Sequence, residues 1–164
     1  MSSSAPPPSS VLLATTTSEE RAQAAAMRSG SGGGGALGEL TNNIPFVLID
    51  EDAVQKYAII AVYRSGSQGD DDNGSARYFV RGSRHASYHK DAARPLVEEL
   101  RQLQVPFEVV GGGRISHRSQ GEIKVYGFSY GFPWKNGQSK HHITAELLRA
   151  RFPGQPVTYS DEGY

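Results

Sequence analysis

The sequence contains no cysteine. Disulfides, thiolate metal sites and cysteine nucleophiles are therefore excluded. The absence fits a reducing compartment and suggests a cytoplasmic protein. Neither charge sign is in excess, with 17 Lys and Arg against 17 Asp and Glu. Proteins that coat nucleic acid or an anionic membrane usually carry a clear basic surplus, so neither partner is expected. No apolar run approaches the roughly 20 residues that span a bilayer. VLLA near the start is too short for a secretory core, and the arginines that follow are offset by acidic residues, which makes a poor organellar presequence. No H-E-x-x-H motif occurs, and neither the His85/His89 pair nor the His141/His142 pair has a carboxylate ligand beside it. No metal and no cofactor are expected on that pattern. No internal repeat is visible.

What is present divides in two. Residues 1–41 are rich in Ser, Pro, Gly and Ala, from SSSAPPPSS to SGSGGGG. Such composition buries too little apolar surface to offset chain entropy, and it predicts a disordered tail in which EERAQAAAM forms at most a transient helix. Residues 42–164 read as one domain. Residues 44–50 and 56–64 are strand-like, and in the second Tyr57, Ile59, Ala61 and Tyr63 face one way while Ala58, Ile60, Val62 and Arg64 face the other. The Asn73-Gly74 pair signals a hairpin returning through residues 76–83. Tyr88, Ala92, Leu96, Leu100 and Leu103 fall at helical spacing. Pro95 then either kinks a helix that starts near Ser87 or sits in the first turn of one that starts near Asp91. Strands follow over 105–110, 122–129 and 156–161, with a helix over 143–152 capped by Thr144. The sum is an α/β (α+β) single domain, a mixed sheet of about six strands packed between two main helices.

The residues suited to chemistry cluster at strand ends and helix starts. Gly111, Gly112 and Gly113 run into Arg114. They are either a β-bulge or corner with Arg114 on the surface, or a turn that aims Arg114 at an anion, whose oxygens its planar fork matches. His89 lies at a helix start, where backbone N–H groups attract phosphate and an imidazole can exchange protons near neutrality. Lys56 opens a strand. Ser129, Tyr130 and Gly131 follow another, where backbone N–H groups can form an anion nest.

GGGRISH at 111–117, the preceding RGS…YH, VYGFS at 125–129 and the terminal DEGY together resemble the phosphohistidine phosphatase family, the Janus/ocnus proteins. The likeness runs from about residue 44 to 164. It implies a mixed sheet between two helices and a metal-independent hydrolase acting on phosphohistidine-containing proteins, here expected as a monomer. By this resemblance His89 is the catalytic residue, as proton acceptor or as nucleophile. Lys56, Arg114 and the turn of Ser129, Tyr130 and Gly131 hold the phosphoryl group, with Tyr88 and Lys90 flanking and His141 contributing from the far loop. The chain departs from the family at Gly131, at Lys90 beside the catalytic position and in the longer loop at 133–140. His117 is expected to be structural. The Janus/ocnus side of the family leaves a second possibility, a non-catalytic phosphoprotein-binding module.

Overall fold

The computed structural model describes residues 16–30, 43–63 and 76–161. The Asn73-Gly74 hairpin and the terminal Gly-Tyr lie outside the described residues, as do 1–15 and 31–42.

The elements run α1 (Ser18–Met27), β1 (Ser29–Gly30), β2 (Val47–Leu48), β3 (Ala53–Tyr63), β4 (Ala76–Ser83), α2 (His89–Gln102), β5 (Phe107–His117), β6 (Ile123–Tyr126), a 3₁₀ turn (Lys135–Gly137), α3 (His141–Arg151) and β7 (Val157–Tyr159). The strands form one mixed sheet in the order β2-β4-β3-β5-β6-β7. β2–β4 and β6–β7 pair parallel, and the rest antiparallel. β5 lends one end of its outer edge to β6 and the other end to β1. The expected architecture holds, with α2 and α3 on opposite faces and a third helix added.

β3 is the spine. Its Val, Ile, Ala and Tyr side chains are stiff or small and are buried on both sides, as a central strand requires. Ala58, Ile60 and Val62 pack with Ala93, Leu96, Val97 and Leu100 of α2. Tyr57, Ile59, Ala61 and Tyr63 pack with Ala145 and Leu148 of α3. This is the alternation read from the sequence. α2 begins at His89, so Pro95 falls in its second turn and not its first. The Asp91 carboxylate accepts the Tyr88 N–H at 3.1 Å and so fixes the start of the helix at His89.

Three local expectations are corrected. α3 begins at His141, so Thr144 is an interior residue and not the N-cap; its hydroxyl donates to the Tyr57 hydroxyl at 3.1 Å. The three glycines do not end a strand. β5 runs through them, and none of the three has a positive φ. The third correction concerns residues 16–30, which are not disordered. Thr17 caps α1 by accepting the Glu20 N–H at 3.1 Å, Ala24 is buried against the α2 layer, and Val109 N–H donates to Arg28 O beside β1. Docking is nevertheless light. Burying one alanine methyl contributes on the order of 1 kcal/mol. Partly exposed ion pairs add about 0–1 kcal/mol each.

The bulge explains what the glycines are for. Phe107 and Val109 face the α2 layer, so simple alternation would send Arg114 to the α3 layer. The register instead shifts between Ile59 and Ile60: Ile60 pairs with Val109 and Ile59 with Gly111, leaving Val110 as the extra residue. One extra residue inverts every later side chain. Arg114 therefore faces the α2 layer, directly opposite Lys56. The missing side chains then make room. A Cβ on Gly111 would lie 2.1 Å from the Trp134 ring, one on Gly112 would lie 2.4 Å from Tyr57 O and 3.1 Å from His89 Cδ2, and one on Gly113 would lie 2.7 Å from His141 Cε1. Gly112→Ala is expected to cost about 1–3 kcal/mol by overpacking and to displace the His89 ring. Thermal denaturation alongside an activity assay checks this; a variant with wild-type midpoint and wild-type turnover would show that the close approach is unimportant.

Candidate functional site

The site is built where the start of α2 meets the middle of β3 and β5. Lys56 and Arg114 stand opposite each other across the strand pair, 2 % and 9 % exposed. Like charges at such a position repel. Lys56 Nζ donates to Ser87 O at 2.6 Å, which holds it against the loop leading into α2. Burial, and then the neighbouring Arg114, push its pKa down.

His89 is the first residue of α2 and is 7 % exposed. Its Nε2 lies 3.0 Å from Gly113 O. A carbonyl only accepts, so Nε2 carries the proton and Nδ1 keeps its lone pair. Burial, and after it the charges of Lys56 and Arg114, push the pKa of His89 down to about 3. The imidazole is neutral at physiological pH. It is an acceptor held in one tautomer under the influence of two nearby cations.

Tyr88, His89, Lys90, Ser129 and Gly131 line one cavity, so the structure brings together the start of α2 and the turn after β6. Gly127, at φ 76, supplies the left-handed residue that turns the chain out of β6. Ser129 is almost wholly buried, and its hydroxyl accepts the N–H of Phe132, which is anchored in the α2-side core. Tyr130, between Ser129 and Gly131, does not line this cavity. Its ring is half exposed, packed edge-on against Phe128 with the Arg21 guanidinium 5.5 Å from its centroid. The Tyr88 ring stands 5.6 Å from both Lys56 Nζ and Lys90 Nζ. Lys90 is paired with Glu20 of α1 at 2.9 Å and with Asp91 at 3.3 Å. Burial works against its charge, but these two carboxylates outweigh burial and raise its pKa.

His141, expected as a substrate-binding group, does not line this cavity. It packs beneath the other face of the sheet, wholly buried against Tyr57 and Trp134. Its Nε2–H donates to Gly127 O at 2.8 Å, and its Nδ1 accepts the Tyr57 hydroxyl at 2.6 Å. Both ring nitrogens are used. Burial pushes its pKa down, so it is a neutral brace that holds the Gly127 turn, one step removed from the anion site. His117 is likewise structural: its Nδ1 accepts the Asp52 N–H at 3.1 Å, and its ring lies 4.8 Å from that of Phe152. Among the described residues no three His, Asp or Glu side chains converge as a metal site, and no helix is long and apolar enough to cross a membrane.

Sequence reasoning missed α1. Thr16, Glu20 and Ala24 line the same cavity as His89. The only signal was a run of helix-forming residues with an alanine face, which many solvated segments share.

The sequence pattern of the Janus/Ocnus family matches residues 41–156. A 14 kDa phosphohistidine phosphatase from Sus scrofa is 40% identical over 122 residues, covering 74% of this chain and 93% of that protein. The Homo sapiens protein of the same name is 37% identical over 125 residues, covering 74% and 94%. The sex-regulated protein janus-A of Drosophila pseudoobscura pseudoobscura is 31% identical over 122 residues, covering 74% and 78%. α1 and β1 lie outside the family span.

Proposed function

We propose a function from one premise: the chain belongs to the Janus/Ocnus family. It hydrolyses the P–N bond of phosphohistidine in proteins, without a metal. The observation that carries this reading is the neutral His89 imidazole, with Nδ1 available, close enough to the opposed Lys56 and Arg114 to feel both charges. Two relatives named as phosphohistidine phosphatases support it.

In this mechanism Lys56 and Arg114 hold the phosphoryl oxygens, and the backbone N–H groups of residues 129–131 and of the α2 start complete the cradle. A loose phosphoryl-transfer transition state is stabilised mainly by such positioned charge. Water attacks phosphorus, the P–N bond breaks with its electron pair going to the ring nitrogen, and the substrate leaves as neutral imidazole, its other ring nitrogen carrying a proton. His89 Nδ1 takes the proton of the attacking water; the nucleophilic alternative, with phosphate passing through Nδ1, uses the same lone pair. The arriving phosphoryl group also tunes its own acceptor. Its negative charge offsets the two cations that depress the pKa of His89 and so raises that pKa toward the working range.

The test is phosphate release from a phosphohistidine peptide and from a phosphoserine peptide in excess EDTA. Release from the first alone is expected. Loss of activity on chelation, restored by a divalent ion, would refute metal independence. Binding of phosphopeptide with no release would favour the phosphoprotein-binding module, the reading that the janus-A relative keeps in view.

A further inference from the structure

α1 closes over the site just described. Glu20 reaches Lys90, the residue next to His89, at 2.9 Å. Ala24 packs on the anion turn so closely that a Cβ on Gly131 would lie 3.1 Å from its own Cβ. The space left between Thr16, Glu20 and Ala24 on one side and Tyr88, His89, Lys90, Ser129 and Gly131 on the other is about 10 Å³. That is room for about one water and not for a phosphorylated imidazole. His89 and Ser129 are accordingly 7 % and 1 % exposed.

The two halves of the segment are held differently. The C-terminal half is tied to the body of the fold: Arg28 donates to Pro133 O at 2.6 Å, Arg101 donates to Ala26 O at 2.7 Å, and β1 pairs with β5. The N-terminal half meets the site through the Glu20–Lys90 ion pair and the Arg21–Tyr130 contact, and Ala24, just past the middle of the helix, adds the last contact before the anchored end. A ten-residue helix has little stability apart from its docking. Its site-facing half can therefore be displaced while its far end stays anchored.

We propose that α1 is an intramolecular cover over the phosphoryl site, in which the Glu20 carboxylate is a tethered competitor for the anionic substrate. Lys90 is the cation over which they compete. The inference rests on the anion-site reading above. A phosphoryl dianion brings more charge than one carboxylate and also engages Lys56 and Arg114, so substrate displaces the cover at a cost in affinity. α1 lies outside the family span, so this control belongs to the extension and not to the shared domain.

The experiment uses the full chain and inorganic phosphate as the probe, with phosphohistidine peptide hydrolysis measured in parallel. Glu20→Gln keeps the helix and removes the charge; phosphate is expected to bind about threefold to tenfold more tightly, the scale of one partly exposed ion pair, and KM to fall by a similar factor. Ala24→Cys with Gly131→Cys then staples the cover shut. Their Cβ positions are close to the roughly 3.5–4.5 Å separation of a disulfide, and the chain has no other thiol. The oxidised form should lose phosphate binding and turnover at least tenfold, and reductant should restore both. Equal phosphate affinity in the oxidised and reduced forms overturns the cover. If the reduced double variant has itself lost affinity, Glu20→Gln decides alone, and no gain there overturns the competition. Absence of phosphate binding in the wild type and in Glu20→Gln alike refutes the anion site itself, and the cover with it, whereas failure of the variants to change the affinity of a wild type that binds phosphate leaves that site standing.

Discussion

His89→Ala is expected to abolish hydrolysis of phosphohistidine while the domain stays folded and still binds phosphate. Removing a positioned proton acceptor costs about 10²–10⁴ in rate, and removing a nucleophile costs at least as much. Lys56, Arg114 and the backbone donors remain, so binding of inorganic phosphate should persist. Stability falls modestly. The imidazole is buried and its Nε2–H satisfies Gly113 O. Losing that donor costs about 1–3 kcal/mol, and each kcal/mol lowers the thermal midpoint by roughly 2–8 °C. Turnover lost with phosphate affinity retained is the expected pattern. Wild-type hydrolysis by His89→Ala would remove both mechanisms and favour the binding module.

The pH dependence of the wild type follows from the same residue. In the free site burial, Lys56 and Arg114 hold the His89 pKa at about 3, so the acceptor is already unprotonated well below neutrality. kcat/KM, which reports the free enzyme, should show no acid limb from His89 between pH 5 and 8. With the phosphoryl group bound the pKa rises, so the acid limb of kcat should lie at higher pH than that of kcat/KM. Coincident limbs near pH 6.5 would mean that His89 does not work under the influence of the two cations. Rapid-quench analysis separates the roles: label trapped on His89 in a single turnover identifies a nucleophile, and its absence supports the base.

Periodicity made much of this molecule legible. β3 alternates strictly and α2 repeats at helical spacing, so both elements are legible from periodicity, whereas the roles proposed for Lys56, His89 and Arg114 rest on the family resemblance. The sequence displays three glycines without saying whether they serve a turn or a close neighbour, and here the neighbours are His89, His141 and Trp134 from distant segments. The face on which Arg114 emerges depends on one bulged residue, Val110, whose side chain is as apolar as those around it. The placement of His141 was not legible, because a motif gives position along the chain and not the face of the sheet on which the side chain packs. α1 was illegible because one buried alanine, a partly buried Met27, an ion pair and hydrogen bonds to backbone carbonyls hold it, and composition registers none of these contacts.

Arg114→Ala should lower function most sharply. Loss of one preorganised donor to a charged transition state lowers catalytic efficiency by about 10²–10³-fold. Arg114 is buried opposite Lys56 across β3 and β5. The upward shift of the thermal midpoint produced by added phosphate is expected to shrink in the variant. Arg114→Lys restores the charge but not the planar fork, so it should recover only part of the lost activity. Three measurements on each variant decide the matter: kcat/KM, the midpoint alone and the midpoint with phosphate. Full activity in Arg114→Lys would mean that charge suffices without bidentate geometry. A lowered midpoint in Arg114→Ala with unchanged efficiency would make Arg114 a structural residue of β5, and the bulge at Val110 would then need another purpose.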